Sequence, residues 1–399
     1  MLNKLNKINI TDPHFNHIYG IAGVLIGIIG LGLGVVPLLI VVIIAVLVLA
    51  IYFSLKAKVI NVLHCSKKGD EDTEEIPEPI HLPNNLLETD DTFLEEQFEQ
   101  FYQSRAIILL AQAHRITPFI LGNIEQLLQE RFGQENTYHL VPVAGNHVEP
   151  ATYFSHLAQQ NNLSEKVENS AQLESILDKK LKNGEHLCLL ISRLEKGDGD
   201  RANELASSLR NLLEHHKLSL YLLFCGGQKL AELRFANGEL SLLNCAAVGY
   251  WQELTTPDVQ QLYRQAFFDQ TPLTDEQAKA LLEVSGGHPN LLAHCFDYWV
   301  KNEKPIEAYS QQLQEEDVLV AAFTPFLSKP DFSRKILDRL ASLDICPATT
   351  YIFDDLLRQL YWANLLVKRL VKGEMRLVWR CEAIRQAGIS ILRQGFEQD

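Results

Sequence analysis

The hydropathy pattern is most uneven near the start of the chain, where Ile18 to Leu55 runs for 38 residues without Asp, Glu, Lys or Arg. As one straight helix at ~1.5 Å per residue, the run would measure about 57 Å, nearly twice the ~30 Å hydrocarbon core of a bilayer. Val35-Val36-Pro37 offers a break, because proline lacks an amide donor and clashes with the preceding turn. The pattern predicts a two-helix transmembrane hairpin over 18–55, with spans from Ile18 to Gly34 and from Leu38 to Leu55; one tilted span or a re-entrant segment is the alternative. Gly20, Gly23, Gly27, Gly30 and Gly34 recur every three or four residues. They mark one helix face for close packing, against the second span or against another protomer. Lys4 and Lys7 precede the run, and Lys56, Lys58, Lys67 and Lys68 follow it. By the positive-inside rule both flanks are expected on the cytoplasmic side of an inner membrane, with residues 1–17 as a cytoplasmic tail.

Past the membrane run, residues 56–92 read as an acidic, proline-containing linker. Between 69 and 104 there are twelve Asp and Glu residues and no Lys or Arg, which predicts an extended, solvated tether. Short apolar runs then recur at Ala106–Leu110, Thr137–Val143, Leu187–Ile191, Leu218–Phe224 and about 244–248. Helical patterns separate most of them, at 93–104, from Thr117-Pro118 onward, and at 151–160, 170–182 and 201–215. Such alternation predicts a parallel α/β sheet covered by helices on both faces, over residues 93–255. Asn237-Gly238 reads as a hairpin turn between 233–235 and 240–243. Residues 256–327 are helical by pattern, at 257–268, 274–284, 290–300 and 306–326, with Gly286-Gly287 as a stop and Pro289 as a start. The last part, 328–399, shows helices near 331–343, 350–363 and 381–394. Strands 365–370 and 375–380 about Lys372-Gly373 complete the outline of a winged helix.

Charge and composition narrow the chemistry. The net charge is −14, and because the stretch 69–104 holds most of it, the remainder carries no electrostatic footprint for nucleic acid. The seven cysteines form no C-x-x-C pair and read as buried thiols in a reducing compartment, not as a metal set. Neither a metal nor a nucleophilic G-x-S-x-G turn is expected.

The segment Val284-Ser285-Gly286-Gly287-His288-Pro289-Asn290-Leu291-Leu292, set after an α/β module and before a winged helix, resembles the lid of STAND and AAA-like P-loop ATPases. Leu218–Gly226 and Ala246–Leu254 are similar to the sensor strand and to the segment entering the lid, so the resemblance spans about 93 to 326 with the winged helix after it. It implies an AAA-like sheet with a helical lid, in which the His288-Pro289 turn approaches an adenine. A working P-loop reads G-x-x-x-x-G-K-[ST], with glycine N–H groups around phosphate, a lysine on it and a hydroxyl on magnesium. In register this chain has Ala111-Gln112-Ala113-His114-Arg115-Ile116-Thr117-Pro118. Ala111 and Ile116 replace the glycines, Thr117 the lysine and Pro118 the hydroxyl. Ser192-Arg193 stands where the acidic Walker B pair belongs.

The expectation is therefore a pseudo-ATPase with no catalytic residue and no required cofactor. The remaining ligand option is magnesium-independent nucleotide or anion binding through His114, Arg115, His288 and Pro289. The leading functional reading is a membrane-anchored scaffold or adaptor that self-associates and meets a protein partner of unspecified identity. One alternative is a nucleotide- or anion-sensing switch of the STAND type. Another is a membrane-tethered DNA-binding regulator using Arg358, Lys368, Arg369, Lys372, Arg376 and Arg380 beside Trp362 and Trp379. Asp354, Asp355 and Glu374 dilute that patch, and nucleic acid is not the expected partner.

Overall fold

Five parallel strands occupy the centre of the described chain, and their composition explains the placement. In the computed structural model, which describes residues 87–163, 166–236, 238, 241–301 and 305–397, β1 (Ala106–Leu110) and β3 (Leu187–Ser192) are buried along their whole length. The others are β2 (Thr137–Leu140), β4 (Leu220–Gly226) and β5 (Ala247–Tyr250). Their order is β2-β3-β4-β1-β5, and every pairing is parallel. Strands buried on both faces need apolar side chains at every position, and parallel neighbours need helical crossovers, which is the observed arrangement. The apolar run 18–55, its glycine face, the N-terminal tail and the linker up to residue 86 lie outside the described residues. Among the described residues, no helix is long and apolar enough to cross a membrane.

Each face of the sheet has its own cover. Helices α1 (Glu88–Ser104) and α2 (Pro118–Phe132) place Phe93, Leu94, Phe101, Ile124 and Leu128 against Ile107, Leu109, Leu190 and Leu223. On the other face lie α3 (Pro150–Gln160), α4 (Ser170–Lys182) and α5 (Gly199–His215). Their core is continuous with that of the later helices, running from Ile108, Leu189 and Phe224 through Phe296 to Trp379. After α6 (Gln228–Phe235) and β5 come the lid helices α7 (Thr256–Ala266), α8 (Asp275–Ser285), α9 (Pro289–Lys301), α10 (Tyr309–Leu313) and α11 (Asp317–Leu327). The C-terminal part is α12 (Pro330–Arg339), β6 (Asp344–Pro347), α13 (Asp355–Trp362), β7 (Leu366–Val371), β8 (Glu374–Trp379) and α14 (Glu382–Glu397). Its antiparallel sheet has the order β6-β8-β7.

Three expectations need correction, and one strand was not foreseen. The acidic stretch is not an extended tether up to its end, because α1 begins at Glu88 and buries Asp90 together with Phe93 and Leu94. Thr89 there donates its hydroxyl hydrogen to Asp258 of α7 at 2.6 Å, which ties this helix to the lid. Leu233 to Phe235, expected as a strand before the Asn237-Gly238 turn, belong to α6, where Leu230, Ala231 and Leu233 are buried at helical spacing; Asn237 lies outside the described residues. The lid helix expected over 306–326 is broken, since Glu316 adopts an extended backbone before α11 and its carboxylate engages Tyr298 and His294 of α9. Strand β6 escaped the periodicity because four residues beginning with Asp and ending with Pro carry no apolar alternation.

Candidate functional site

In an open parallel sheet, ligands bind outside the carboxyl ends of the strands. Here that place is bounded by the loop 111–117 between β1 and α2, the end of β3, the end of β4 and the start of the lid. Thr117 caps α2 by accepting the Ile120 N–H at 3.3 Å, and Pro118 takes the first helical position, where it offers no amide to an anion. Ile116 packs on the core beneath α1 and α2. Ala111 donates its N–H to Gly226 of β4 at 2.8 Å. Its carbonyl passes so close to Gly227 that a Cβ there would lie 2.8 Å from the oxygen and 3.4 Å from the ring of Trp362. Glycine at 227 is therefore what lets strand end, loop and winged helix meet.

The winged-helix part fills the space over this loop. Ala113 donates its N–H to the carbonyl of Trp362 at 3.0 Å and accepts from the side-chain amide of Asn364 at 2.8 Å. Gln112 donates to the carbonyls of Tyr361 and Leu366 and accepts from the guanidinium of Arg380. The Arg380 side chain is 0% exposed. It forms a bidentate pair with Glu253, at 2.7 and 2.8 Å, and donates to the Gly286 carbonyl at 3.0 Å. Gly286 is in the left-handed region at φ 63°, and a Cβ would stand 2.6 Å from the Arg380 carbonyl oxygen. One guanidinium thus joins the loop after β1, the strand-to-lid segment and the lid turn. Fork geometry of this kind holds two carboxylate oxygens at once. Burial, which raises the Glu253 pKa, is outweighed by Arg380, Arg115 and Arg369, and the carboxylate stays below its ordinary range.

The structure brings three of the candidate ligand contacts together. His114 and His288 face each other with ring centroids 5.5 Å apart. His288 is buried, and that burial, with Arg380, His114 and Arg115 nearby, holds its pKa well below the usual histidine value. Burial and Lys196 also lower His114. Arg115 is buried, donates to the Gln252 carbonyl and faces Glu253, Asp90 and Asp258. Pro289 opens α9.

The residues expected at the Walker B positions, Ser192 and Arg193, lie in a different setting. Ser192 is wholly buried, its Oγ 2.9 Å from His139 Nε2, and His139 Nδ1 is 2.8 Å from Glu125 Oε2. That connectivity matches a hydrolase triad, but a hydroxyl with no exposed surface admits no acyl group, so the chain of bonds ties β3, β2 and α2 together. Arg193 takes a left-handed conformation at φ 58° and makes no ion pair among the described residues. Asp198 caps α5 by accepting from Asp200 and Arg201. Among the described residues, no group of three His, Cys, Asp or Glu side chains is arranged to hold a metal ion.

The cationic patch reads differently in three dimensions. Arg380 and Trp362 are buried in the crevice and Trp379 in the core, so Arg380 is an internal staple and not a surface cation. Arg358 pairs with Asp355, and Arg376 with Asp344 at 2.9 Å. Sequence reasoning missed Gln112, Glu253 and Asn364 as network members. None sits in a periodic or motif position, and the only cue was an arginine flanked by Trp379 and Cys381 in an apolar strand end.

No family model and no curated protein matches the chain. Among solved structures, a Walker-type ATPase of Pyrococcus abyssi is similar at 12% identity and TM-score 0.47, covering 75% of this chain and 95% of that one. The ORC2 protein of Aeropyrum pernix is similar at 9% identity and TM-score 0.46, covering 83% and 99%. Cdc6p from Pyrobaculum aerophilum is similar at 10% identity and TM-score 0.41, covering 80% and 97%. The architecture itself rests on the five-stranded parallel order, the lid with its Gly-Gly-His-Pro turn and the three-stranded C-terminal sheet. By these features the chain has an AAA-like P-loop fold followed by a winged-helix-like domain.

Proposed function

We propose that this protein is a membrane-anchored, catalytically inactive AAA-like scaffold that self-associates within a membrane-bound assembly and meets a protein partner there. The observation that carries the reading is the crevice after β1, where the Ala113 amide bonds the Trp362 carbonyl and Arg380 clamps Gln112, Glu253 and Gly286. Hydrolysis needs phosphate-facing amides, a lysine, a magnesium hydroxyl and an acidic pair acting together. This chain offers Thr117, Pro118, Ser192 and Arg193 in their places. The membrane part of the proposal comes from the uncharged run 18–55, with two spans and both ends in the cytoplasm as the topology its lysines favour.

Purified in detergent, the protein is expected to release no phosphate from ATP and to gain no thermal stability from Mg-ATP; a shift of several degrees contradicts the proposal. Gly27→Leu is expected to shift the oligomer toward smaller species in a mass measurement, and an unchanged oligomer reduces the run to an anchor.

A STAND-type switch is the second reading, favoured by the meeting of loop, lid turn and winged helix at Arg380. It requires that His288 or Arg115 variants change the assembly state in response to nucleotide. The DNA-binding alternative is weaker: α13 turns Leu357, Tyr361 and Trp362 inward, and Arg358 and Arg376 already have carboxylate partners. Unaltered DNA mobility at low salt disposes of it.

A further inference from the structure

The five-stranded sheet ends at β2, which pairs only with β3. Alternate residues of a strand turn their N–H and C=O groups to opposite sides, so Thr137, His139 and Val141 present theirs to the outside of the sheet. Such a row is a ready template for a strand from another chain. A groove of about 520 Å³ borders it, lined by Gln129, Gln134, Gln160 and Asn161 among others, and no described strand of this chain lies along it.

The row is nevertheless closed. The His139 N–H donates to Asn161 Oδ1 at 2.8 Å, and Asn161 Nδ2 donates back to the His139 carbonyl at 3.0 Å. These are the two bonds that a neighbouring strand would make to one residue, supplied here by a single carboxamide. Its orientation is fixed, because reversing it would set N–H against N–H and oxygen against oxygen. On either side, the Val141 N–H donates to Gln160 Oε1 at 3.3 Å and the Thr137 N–H to the Gln134 carbonyl. The local sequence holds Asn161 in place: it closes α3, Asn162 takes a left-handed conformation at φ 52°, and the Leu163 N–H returns to the Ala158 carbonyl at 3.0 Å. Asn161 Nδ2 also reaches the Leu157 carbonyl at 2.9 Å. The ring nitrogens of His139 are engaged by Glu125 and Ser192, so all of its polar groups are committed within the chain.

We infer that Asn161 acts as a one-residue substitute strand that shuts this edge against a second copy of the chain. Self-association is thereby kept to other surfaces. Asparagine suits the position because it offers an acceptor and a donor on one short planar group, and Gln160 covers the next outward amide in the same way. Alanine would offer neither, and aspartate only the acceptor. This role is the same whether or not the protein is a scaffold.

The test is light scattering on full-length Asn161→Ala in detergent over a range of concentrations. Species of about twice the parent's mass are expected to grow with concentration, as freed β2 edges pair. Asn161→Asp, which keeps the acceptor and adds a charge to the edge, is expected to keep the parent's mass. So is Asn161→Ala combined with Val141→Lys, because a charge on an open edge blunts pairing. A parent-like mass for folded Asn161→Ala overturns the inference, as does a larger species that Val141→Lys leaves unchanged, which marks a general loss of stability. Hydrogen–deuterium exchange of the parent covers the case in which Asn161→Ala fails to fold. There the His139 and Val141 amides are expected to exchange slowly, like those of Tyr138 and Leu140 facing β3, and fast exchange at His139 overturns the inference.

Discussion

The body of the sheet and its carboxyl end are built from different materials. Along the strands, Ile107, Ile108, Leu189, Leu190, Leu222 and Leu223 are at most 1% exposed and apolar without exception. At the strand ends, the buried groups are Gln112, Arg115, Ser192, His288 and Arg380. Apolar packing tolerates many sequences of similar volume, so a fold can persist while its chemistry changes. Polar burial tolerates few, because each donor and acceptor needs a specific partner. What differs between the two regions is therefore how much sequence change each tolerates. The strand body is held by apolar packing, whereas the crevice at the strand ends is held by bonds from the chain's own C-terminal part.

That contrast can be broken from either side. Phe224→Ala, in the strand body, is expected to cost about 3–5 kcal/mol in urea unfolding, from lost burial and the cavity left behind. Arg380→Met, at the strand end, is expected to cost about 2–3 kcal/mol, less than a fully buried pair because Glu253 is 46% exposed and partly screened. The double variant with Glu253→Gln should recover part of that loss, since the stranded carboxylate is then removed. A Phe224→Ala loss no larger than that of Arg380→Met means that the crevice carries as much of the stability as the core.

Acid provides a graded version of the same test. The folded pKa values of His114 and His288 are lowered, so the folded state takes up fewer protons than the unfolded state, and stability falls as pH drops below the ordinary value of 6.5. Glu253 is depressed by Arg380 against the opposing effect of burial, so its contribution is present above the ordinary 4.5 and disappears as pH falls through the folded value. Stability measured against pH should begin to decline near 6.5, and His288→Asn, which retains a capping acceptor for α9, should flatten that first decline. A profile identical to the parent's removes His288 from the account. The smallest expected effect is Thr117→Ala, about 1 kcal/mol for a lost helix cap and no change in nucleotide response.

Much of the architecture was legible in the chain. Ala106–Leu110 and Ser170–Lys182 form the strand and helix that their patterns indicate, because apolar periodicity and caps act locally. Thr117 and Pro118 likewise start α2. The site was less legible. His114, Arg115 and His288 lie near one another, and their surroundings depend on Glu253 and Arg380, which are 127 residues apart. No local pattern encodes a pair at that separation. The same reason explains why Arg380 read as a surface cation: a charged residue beside tryptophan looks identical in sequence whether the partner carboxylate is water-facing or internal.

On the proposed reading, the chain's own winged-helix part occupies the place where phosphates would lie. Hydrogen–deuterium exchange across 111–117 of the full-length protein tests it most directly. The Ala113 amide, bonded to Trp362 at 3.0 Å, is predicted to exchange slowly without nucleotide and at the same rate in millimolar Mg-ATP. Fast exchange that slows when Mg-ATP is added contradicts the claim.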